Sequence, residues 1–485
     1  MLRVAAQAVA KRAAPQWGAA AARPALVPFA RCYADDANLL KTALYDFHLE
    51  MGAKMVRVFE STETDRPIVR WFTPRTVVIT ARNHSPYLFH RPPPPSYPPP
   101  KKQVPFAGHS MPIQYGDSIM DATKHCRTEA SIFDVSHMLG SSIRGKDAIK
   151  FTERIVVGDI AGLKNGTGTL SVVTNEHGGI IDDTVVTKIN DQDVYIVLVS
   201  ISHLPNPNTV CPYETDNFFY LSQNGGCSEK DQAHINKHLA EFKKNGGDAE
   251  FIVHADRSLL AFQGPKAVDV LQPLTKLDLK TFYFGMFTET KIDGKDVWIT
   301  RTGYTGEDGF EISLKKQDTV SLTKKLLENP ASRLCGLGAR DSLRLEAGLC
   351  LYGNDLNEQI GPLEAGLTWT IGKSRRDDCS FVGGDVIKKQ LADGVAKRRV
   401  GFKFTGKGAP ARGGSVVKLA DGTVVGEITS GGFSPVLGEN IAMGYVQKAF
   451  AKAGTELMVE TRGKSTPAVT AKMPFVTCHY HRPSA

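Results

Sequence analysis

The sequence predicts an α+β fold followed by a separate C-terminal β-barrel. Helical and strand-like segments alternate along most of the 485 residues. Neighbouring strands are joined by glycine-rich turns, which favours antiparallel hairpins over a doubly wound parallel sheet. From Arg398 onward the helical signal weakens, and short strands are spaced by Gly, Asp and Pro, as is typical of a small barrel.

The periodicity of apolar residues locates the individual elements. In the first half, helices are predicted over 39–51, 117–131, 146–156 and 231–244, and strands over 168–174, 183–189 and 193–198. A related half begins near Ser258, with helices over 265–272 and 319–327 and strands over 296–300 and 310–314. The barrel strands are predicted over 400–404, 415–419, 423–429, 440–446 and 456–460.

Residues 1–34 are predicted to be a mitochondrial targeting segment that directs the protein to the matrix. Five basic side chains punctuate this alanine-rich stretch, which contains no acidic residue. It also lacks serine, which is atypical, and the alternative interpretation is a disordered tail. The predicted domains are therefore the targeting segment, an α+β domain over 38–393 and a barrel domain over 398–480.

The formal net charge of +8 comes from segments outside the predicted folded body. Residues 1–34 carry five basic and no acidic side chains, residues 56–103 carry eight basic and three acidic ones, and residues 199–223 carry two acidic ones. The remaining chain is about neutral, which argues against a nucleic-acid partner. No apolar run is long enough to span a membrane, so no membrane partner is expected.

Cysteine and histidine spacing gives no indication of a metal site. The eight cysteines are scattered without a Cys-x-x-Cys pair, which predicts reduced thiols. His234 and His238 have the i, i+4 spacing of a helical metal-binding pair, but no third ligand accompanies them. No Gly-x-Gly-x-x-Gly motif follows an early strand, so neither a dinucleotide domain nor a flavin is expected.

Two segments predict a binding site; they read RTGYTGEDGFE at residues 301–311 and GARDSLRLEAG at residues 338–348. Glycines permit tight turns and the close approach of a flat ligand. Glu311 falls in a strand-like alternation beside the turn, and Arg340 lies near the start of a predicted helix. Such a set can bind a heterocycle with the carboxylate and an anionic group with the arginine. The alternative interpretation is an ordinary hairpin with a surface ion pair.

Both segments resemble the aminomethyltransferase, or T-protein, family of the glycine cleavage system in its mitochondrial form. The resemblance covers residues 38–480, apart from two interruptions. Other matching segments are FHL at 47–49, VPFAG at 104–108, FDVSHM at 133–138, TNEHGGIIDD at 174–183, AFQGP at 261–265, CLYGND at 350–355 and AMGY at 442–445.

The two interruptions are insertions at residues 56–103 and 199–223. Each begins with valine, whose codons start with GT, and ends with glutamine, for which CAG is a codon. These are the bases that bound introns, so one hypothesis is that both insertions are retained introns. The alternative is a pair of genuine surface loops, which proteins tolerate at modest entropic cost.

The resemblance implies an enzyme, a tetrahydrofolate-dependent transferase. It implies that ammonia is released from an aminomethyl group on the lipoyl arm of the H-protein, and that the one-carbon unit passes to tetrahydrofolate to give 5,10-methylenetetrahydrofolate. The implied partners are the H-protein and other components of the glycine cleavage system. The implied architecture is two related α+β lobes and a barrel around a central folate site.

The resemblance also assigns the site residues. Asp183 matches the aspartate with the key catalytic role, and Glu311 matches the glutamate that accepts hydrogen bonds from the pterin. Arg340 and Tyr480 match substrate-site residues, and Asn224 and Met138 are weaker predictions for the pocket wall. Because side chains alternate along a strand, only one of Asp182 and Asp183 is expected to face the pocket.

Some residues depart from the family pattern, namely His109, His479 and His481. A basic cluster of Lys373, Arg375 and Arg376 suggests a docking surface for an acidic H-protein, although a solvated loop explains it equally well.

Two other functions fit parts of the pattern. One is a folate-dependent demethylase module, which the missing flavin domain disfavours. The other is a non-enzymatic folate-binding factor for iron–sulfur cluster assembly. The motif of that group is absent from residues 348–355.

Overall fold

The computed structural model describes residues 41–53, 104–106, 109–198 and 226–483. The predicted targeting segment, both insertions and Asn224 lie outside these residues.

Helices and strands alternate along the described chain, as expected for an α+β protein. The helices are α1 (Tyr45–Glu50), α2 (Ile119–Thr128), α3 (Ala148–Ile155), α4 (Gly226–Lys244), α5 (Ala267–Leu271), α6 (Lys316–Leu327), α7 (Leu337–Glu346) and α8 (Gly384–Asp393). The strands of the first two-thirds are β1 (Val104–Phe106), β2 (His109–Met111), β3 (Ala130–Asp134), β4 (Leu139–Arg144), β5 (Thr167–Thr174), β6 (Ile180–Asn190), β7 (Asp193–Leu198), β8 (Glu250–Val253), β9 (Arg257–Gln263), β10 (Phe287–Ile292), β11 (Lys295–Thr300), β12 (Gly309–Lys315) and β13 (Ser332–Leu334). The strands of the barrel are β14 (Lys397–Phe404), β15 (Val416–Lys418), β16 (Val424–Ser434), β17 (Glu439–Gln447), β18 (Glu456–Thr461) and β19 (Lys464–Ala471).

These strands form two large sheets and a barrel, and β1 and β2 pair as a separate two-stranded sheet. One sheet has the order β5-β6-β7-β4-β8, and all its neighbouring strands are antiparallel. The other has the order β10-β11-β12-β9-β3-β13, in which only the β3/β13 pair is parallel. Strands β14 to β19 close into a six-stranded barrel of order β14-β17-β16-β15-β18-β19. The predicted α+β fold with a C-terminal barrel is confirmed.

Each sheet buries one face against helices. On the five-stranded sheet, Phe151 of α3 packs against Phe242 of α4, with ring centroids 5.2 Å apart. On the six-stranded sheet, Phe262 and Phe310 are fully buried beside Leu322 of α6. These apolar cores hold the sheets rigid, and rigid strands are the precise supports for site residues.

One helix boundary was predicted wrongly and one strand was not predicted, each for an identifiable reason. The helix expected over 117–131 ends at Thr128, and Ala130–Asp134 is a strand in which every residue is buried. A strand buried on both faces shows no alternation, so periodicity does not separate it from a helix. Strand Lys464–Ala471 was not expected at all, because Pro467 interrupts its pattern and proline argues against a strand.

Helix α7 joins the lobes to the barrel through two buried ion pairs. Arg344 forms one with Asp355 at 2.7 Å and also donates a hydrogen bond to Ser430 of the barrel at 3.0 Å. Glu346 forms the other with Arg127 at 2.8 Å and accepts a hydrogen bond from the Ser434 hydroxyl at 2.6 Å. Because the charges are paired and hydrogen-bonded, the network fixes the barrel against the lobes.

We predict that Arg127→Met lowers the free energy of unfolding by about 3–5 kcal/mol, because it leaves the buried carboxylates of Glu346 and Glu307 without their guanidinium partner. Urea denaturation measures the change. The matched control is Lys418→Met, which removes a partly exposed pair with Glu460 on the barrel and should cost less than about 1 kcal/mol. Equal losses in the two variants would contradict the proposed role of the buried network.

Candidate active site

A cavity of about 950 Å³ is lined by residues from both sheets, helix α7, the barrel and the C-terminal segment. Five of the six predicted site residues line it. They are Met138, Asp183, Glu311, Arg340 and Tyr480. The sixth, Asn224, lies outside the described residues. The structure therefore brings together residues that are up to 342 positions apart in the chain, from 138 to 480.

The turn before strand β6 brings the Asp182–Asp183 pair to its place. Gly178 has φ +76°, a conformation that favours glycine, and a side chain on Gly179 would lie 1.8 Å from the Glu358 carbonyl oxygen. The turn is thereby pressed against the loop around Glu358. Glycine at both positions is needed for this close contact.

A β-bulge lies in β6 immediately before the acidic pair. Val173 pairs with Asp182 and Thr174 pairs with Ile180, so Ile181 is an extra residue in the ladder. Bulges re-aim the side chains that follow them. Here the carboxyl group of Asp182 faces Asp231 of α4, whereas that of Asp183 lines the cavity. The expectation that only one of the two acids faces the pocket is confirmed.

The Asp183 carboxyl group is buried with little compensation. Its residue is 7% exposed, and its Oδ1 atom has no hydrogen-bond partner among the described residues. Burial, together with the negative charge of Asp355, raises the pKa of Asp183 to about 7, although a backbone hydrogen bond opposes the shift. Its ionised form is therefore poorly stabilised in the free protein, and a cation arriving in the cavity would be attracted to it.

The charged residues in and beside the glycine-rich turn at residues 301–309 have two different roles. Some form ion pairs that hold the turn, and one lines the cavity. Arg301 is 2% exposed, forms an ion pair with Asp308 and donates hydrogen bonds to backbone carbonyl groups. Glu307 forms an ion pair with Arg127 at 3.0 Å. These groups hold the turn in place, and Glu311 in the adjoining strand β12 is the carboxylate that lines the cavity.

Glu311 and Arg340 form the second charged part of the cavity. Burial raises the pKa of Glu311 above its usual range, and the positive charge of Arg340 opposes this. The Arg340 guanidinium lies over the Tyr304 ring, 4.9 Å from its centroid, and its buried Nη1 atom has no hydrogen-bond partner among the described residues. A buried N–H donor without a partner is costly unless a ligand accepts its hydrogen bond. Arg340 is therefore prepared to bind a polar or anionic group.

The C-terminal segment forms one wall of the cavity. The Tyr480 ring lies against Phe284, with centroids 4.5 Å apart, and burial raises the pKa of its hydroxyl. The two neighbouring histidines that depart from the family pattern make contacts of their own. His479 lies 2.9 Å from a Glu307 oxygen, and His481 stacks on Tyr283 at 5.1 Å. These contacts hold Tyr480 in the wall.

Several residues of the cavity wall were not predicted from the sequence. Tyr304 lies inside the glycine-rich motif, so its position in the motif was an available signal. Trp369 lines the cavity although its side chain is 60% exposed, and Arg399 and Arg412 reach it from the barrel. Nothing in the local sequence distinguishes these three from ordinary surface residues.

The prediction that Arg375 belongs to a basic docking surface is wrong. This residue is 6% exposed, and its guanidinium donates hydrogen bonds to the carbonyl oxygens of Val156 and Gly158, each at 2.8 Å. Arg376 likewise donates to the carbonyl of Thr368 at 3.1 Å. Only Lys373 of the three is exposed. A run of basic residues does not reveal which members satisfy buried carbonyl groups.

The described residues contain no group of three or more His, Cys, Asp or Glu side chains arranged to hold a metal ion. His234 and His238 are in edge contact, with ring centroids 4.5 Å apart. None of the described helices combines the length and apolar character needed to cross a membrane.

Family models match most of the chain. The GCVT N-terminal domain matches residues 101–204 and 208–375, and the glycine cleavage T-protein C-terminal barrel domain matches residues 397–477. Among solved structures, that of the glycine cleavage system aminomethyltransferase T from Bartonella henselae is 31% identical, with a TM-score of 0.71. The match covers 92% of this chain and 100% of that one.

Curated relatives agree with these matches. The mitochondrial aminomethyltransferase of Mesembryanthemum crystallinum is 50% identical over 454 residues, covering 93% of each chain. That of Canis lupus familiaris is 45% identical over 381 residues, covering 78% of this chain and 88% of the relative. The resemblance predicted from the sequence is confirmed, and the chain belongs to the glycine cleavage T-protein family of aminomethyltransferases.

Proposed function

We propose that this chain releases ammonia from the aminomethyl group on the lipoyl arm of an H-protein and transfers the one-carbon unit to tetrahydrofolate. The product is 5,10-methylenetetrahydrofolate. The observation that carries the proposal is the convergence of Asp183, Glu311 and Arg340 in one cavity. Its volume of about 950 Å³ lies within the range that takes a folate-sized ligand. The family membership supports the same activity, and the names of the relatives support a mitochondrial location, which we propose to be the matrix.

The cavity fits a folate through complementary chemistry. A pterin presents paired N–H donors, which a carboxylate accepts side by side, and Glu311 is the buried carboxylate that we assign to them. Arg340 offers an unpaired guanidinium N–H to an acceptor of the ligand. Tyr480 and Met138 supply apolar surface for the flat rings. Polar groups then fix the orientation of a ligand held mainly by apolar contact.

The transfer requires no redox change. Two folate nitrogens form bonds to the methylene carbon, while the carbon loses its bonds to the amino nitrogen and to the arm. The two folate N–H protons end on the departing ammonia and on the arm. The cavity holds the folate amine against the carbon, and such positioning supplies much of the rate.

Asp183 acts at the reacting amines. Its ionised carboxylate holds the amines by hydrogen bonds and stabilises the cationic carbon that develops when ammonia leaves. Because Asp183 is buried and incompletely hydrogen-bonded, its attraction for that cation is little screened by water.

The overall proposal is tested by mixing the chain with tetrahydrofolate and aminomethyl-loaded H-protein. We expect ammonia and 5,10-methylenetetrahydrofolate to form in equal amounts. Folate binding without either product would contradict the transferase and would favour a non-enzymatic folate-binding protein.

We predict that Asp183→Asn lowers turnover by about a hundredfold or more, because the amide keeps the shape of the carboxylate but loses its charge. The folate dissociation constant should change little. Steady-state kinetics and titration calorimetry measure the two quantities. Asp182→Asn is the matched control, since Asp182 faces Asp231 rather than the cavity. A larger loss of turnover in the control than in Asp183→Asn would move the catalytic role to Asp182.

We predict that Glu311→Gln instead weakens folate binding, by roughly 1–3 kcal/mol, because the amide turns a donor toward the N–H donors of the pterin. Calorimetric titration with tetrahydrofolate gives the dissociation constant. Glu307→Gln serves as a comparison, because Glu307 belongs to the same motif but pairs with Arg127. An unchanged dissociation constant in Glu311→Gln would remove Glu311 from the pterin site.

A further inference from the structure

The bulge at Ile181 leaves two successive carbonyl groups of strand β6 beside side chains from distant parts of the chain. Lys230 of α4 donates a hydrogen bond from Nζ to the Ile181 carbonyl oxygen at 2.9 Å. The Tyr352 hydroxyl donates to the Ile180 carbonyl oxygen at 3.2 Å. These two carbonyls immediately precede the Asp182–Asp183 pair. A bulged residue lacks its ladder partner, so its backbone groups require partners from elsewhere.

The two donors also bind one another. Lys230 Nζ donates to the Tyr352 hydroxyl at 2.8 Å and lies over the Tyr352 ring, 4.5 Å from its centroid. Tyr352 is 1% exposed, whereas the Lys230 side chain is 27% exposed and also pairs with Glu358 at 3.4 Å. The pair therefore forms a closed bridge from α4 to the loop after α7, and the bulge is fixed beneath it.

This bridge lies behind the site rather than in it. Among the described residues, Asp183 lines the cavity, whereas Lys230 and Tyr352 do not. Asp231, the residue after Lys230 in α4, faces Asp182. The bulge is thus held by α4 at Ile181 and Asp182 and by Tyr352 at Ile180, and the direction of the Asp183 side chain depends on these contacts.

We propose that Lys230 and Tyr352 are positioning residues for Asp183, which hold the bulge that aims its carboxylate into the cavity. The proposal rests on the catalytic role proposed for Asp183. A displacement of about 1 Å in a reacting group lowers turnover by up to about a hundredfold, so loss of the bridge is expected to affect the chemical step. Folate binding through Glu311 and Arg340 does not depend on the bulge.

The test measures kcat with loaded H-protein, and the folate dissociation constant, for Lys230→Met and Tyr352→Phe. Both changes keep most of the side-chain volume and remove the hydrogen-bonding group. Each variant is made with Asp183 present and in the Asp183→Asn background. The control is Lys237→Met, because Lys237 lies on the same helix and pairs with Glu176 at the surface.

We expect Lys230→Met and Tyr352→Phe each to lower kcat about tenfold to a hundredfold. The folate dissociation constant should stay within about twofold, as expected when only an interaction of the transition state is lost. In the Asp183→Asn background neither change should lower kcat further, because both act through Asp183. Lys237→Met should match the unaltered protein. If Lys230→Met does not fold, Tyr352→Phe, which loses only one hydroxyl, still decides the matter.

Three results would overturn the proposed role of the bridge. The first is normal kcat in both Lys230→Met and Tyr352→Phe while Asp183→Asn is inactive. The second is an equal loss of kcat in both backgrounds, and the third is a parallel loss of folate binding; each marks a general effect on folding. Normal turnover in Asp183→Asn itself would instead show that the catalytic role proposed for Asp183 fails, and the positioning role of the bridge would fail with it.

Discussion

Helix α7 is the element on which the arrangement of the site depends. Its first turn carries Arg340 into the cavity, and its last turn carries Arg344 and Glu346 into buried ion pairs with Asp355 and Arg127. Breaking such a pair leaves an uncompensated buried charge, which is strongly unfavourable. The helix therefore has little freedom to rotate or slide. Arg340, the barrel and the two sheets are fixed relative to one another as a result.

The cavity differs from the ion-pair network around α7 in how its buried charges are compensated. In that network, the buried charges are paired and hydrogen-bonded. In the cavity, Asp183 has an oxygen without a partner, and Arg340 has a nitrogen without one, among the described residues. Burying polar groups in this way destabilises the folded chain, and proteins tolerate it mainly at functional sites.

The sequence located elements well where a turn signal precedes them. Strand β7 was expected over 193–198 and is Asp193–Leu198, and the turn-forming pair Asn190-Asp191 marks its start although five of its six residues are buried. Strand Ala130–Asp134 was missed because it is buried on both faces and follows helix α2 with only Glu129 between them. Strand β3 comes from the first half of the chain but joins the sheet of the second lobe, where its pairing with β13 depends on contacts between residues about 200 positions apart, such as Leu334 with Ile132. No local pattern records such a pairing.

The site was predictable in part. Asp183, Glu311 and Arg340 were found because each lies in a motif that resembles the family, and the structure places them around one cavity. Their roles in binding and catalysis stay predictions. Arg375 was misjudged because its sequence context is that of a surface cluster, whereas its guanidinium binds buried carbonyl groups. Lys230 was not identified, since its importance arises from a bulge that only the strand register reveals.

The proposed chemistry depends on a fold that keeps the Asp183 carboxyl group buried and poorly compensated. The most direct test is the free energy of unfolding of the unaltered protein and of Asp183→Asn from pH 4 to pH 8. The folded pKa is about 7, above the unfolded value of about 3.9, so ionisation opposes folding as the pH rises between them. We predict that Asp183→Asn gains stability relative to the unaltered protein across this interval, by up to about 1.4 kcal/mol per pH unit. A difference that stays constant from pH 4 to pH 8 would contradict it.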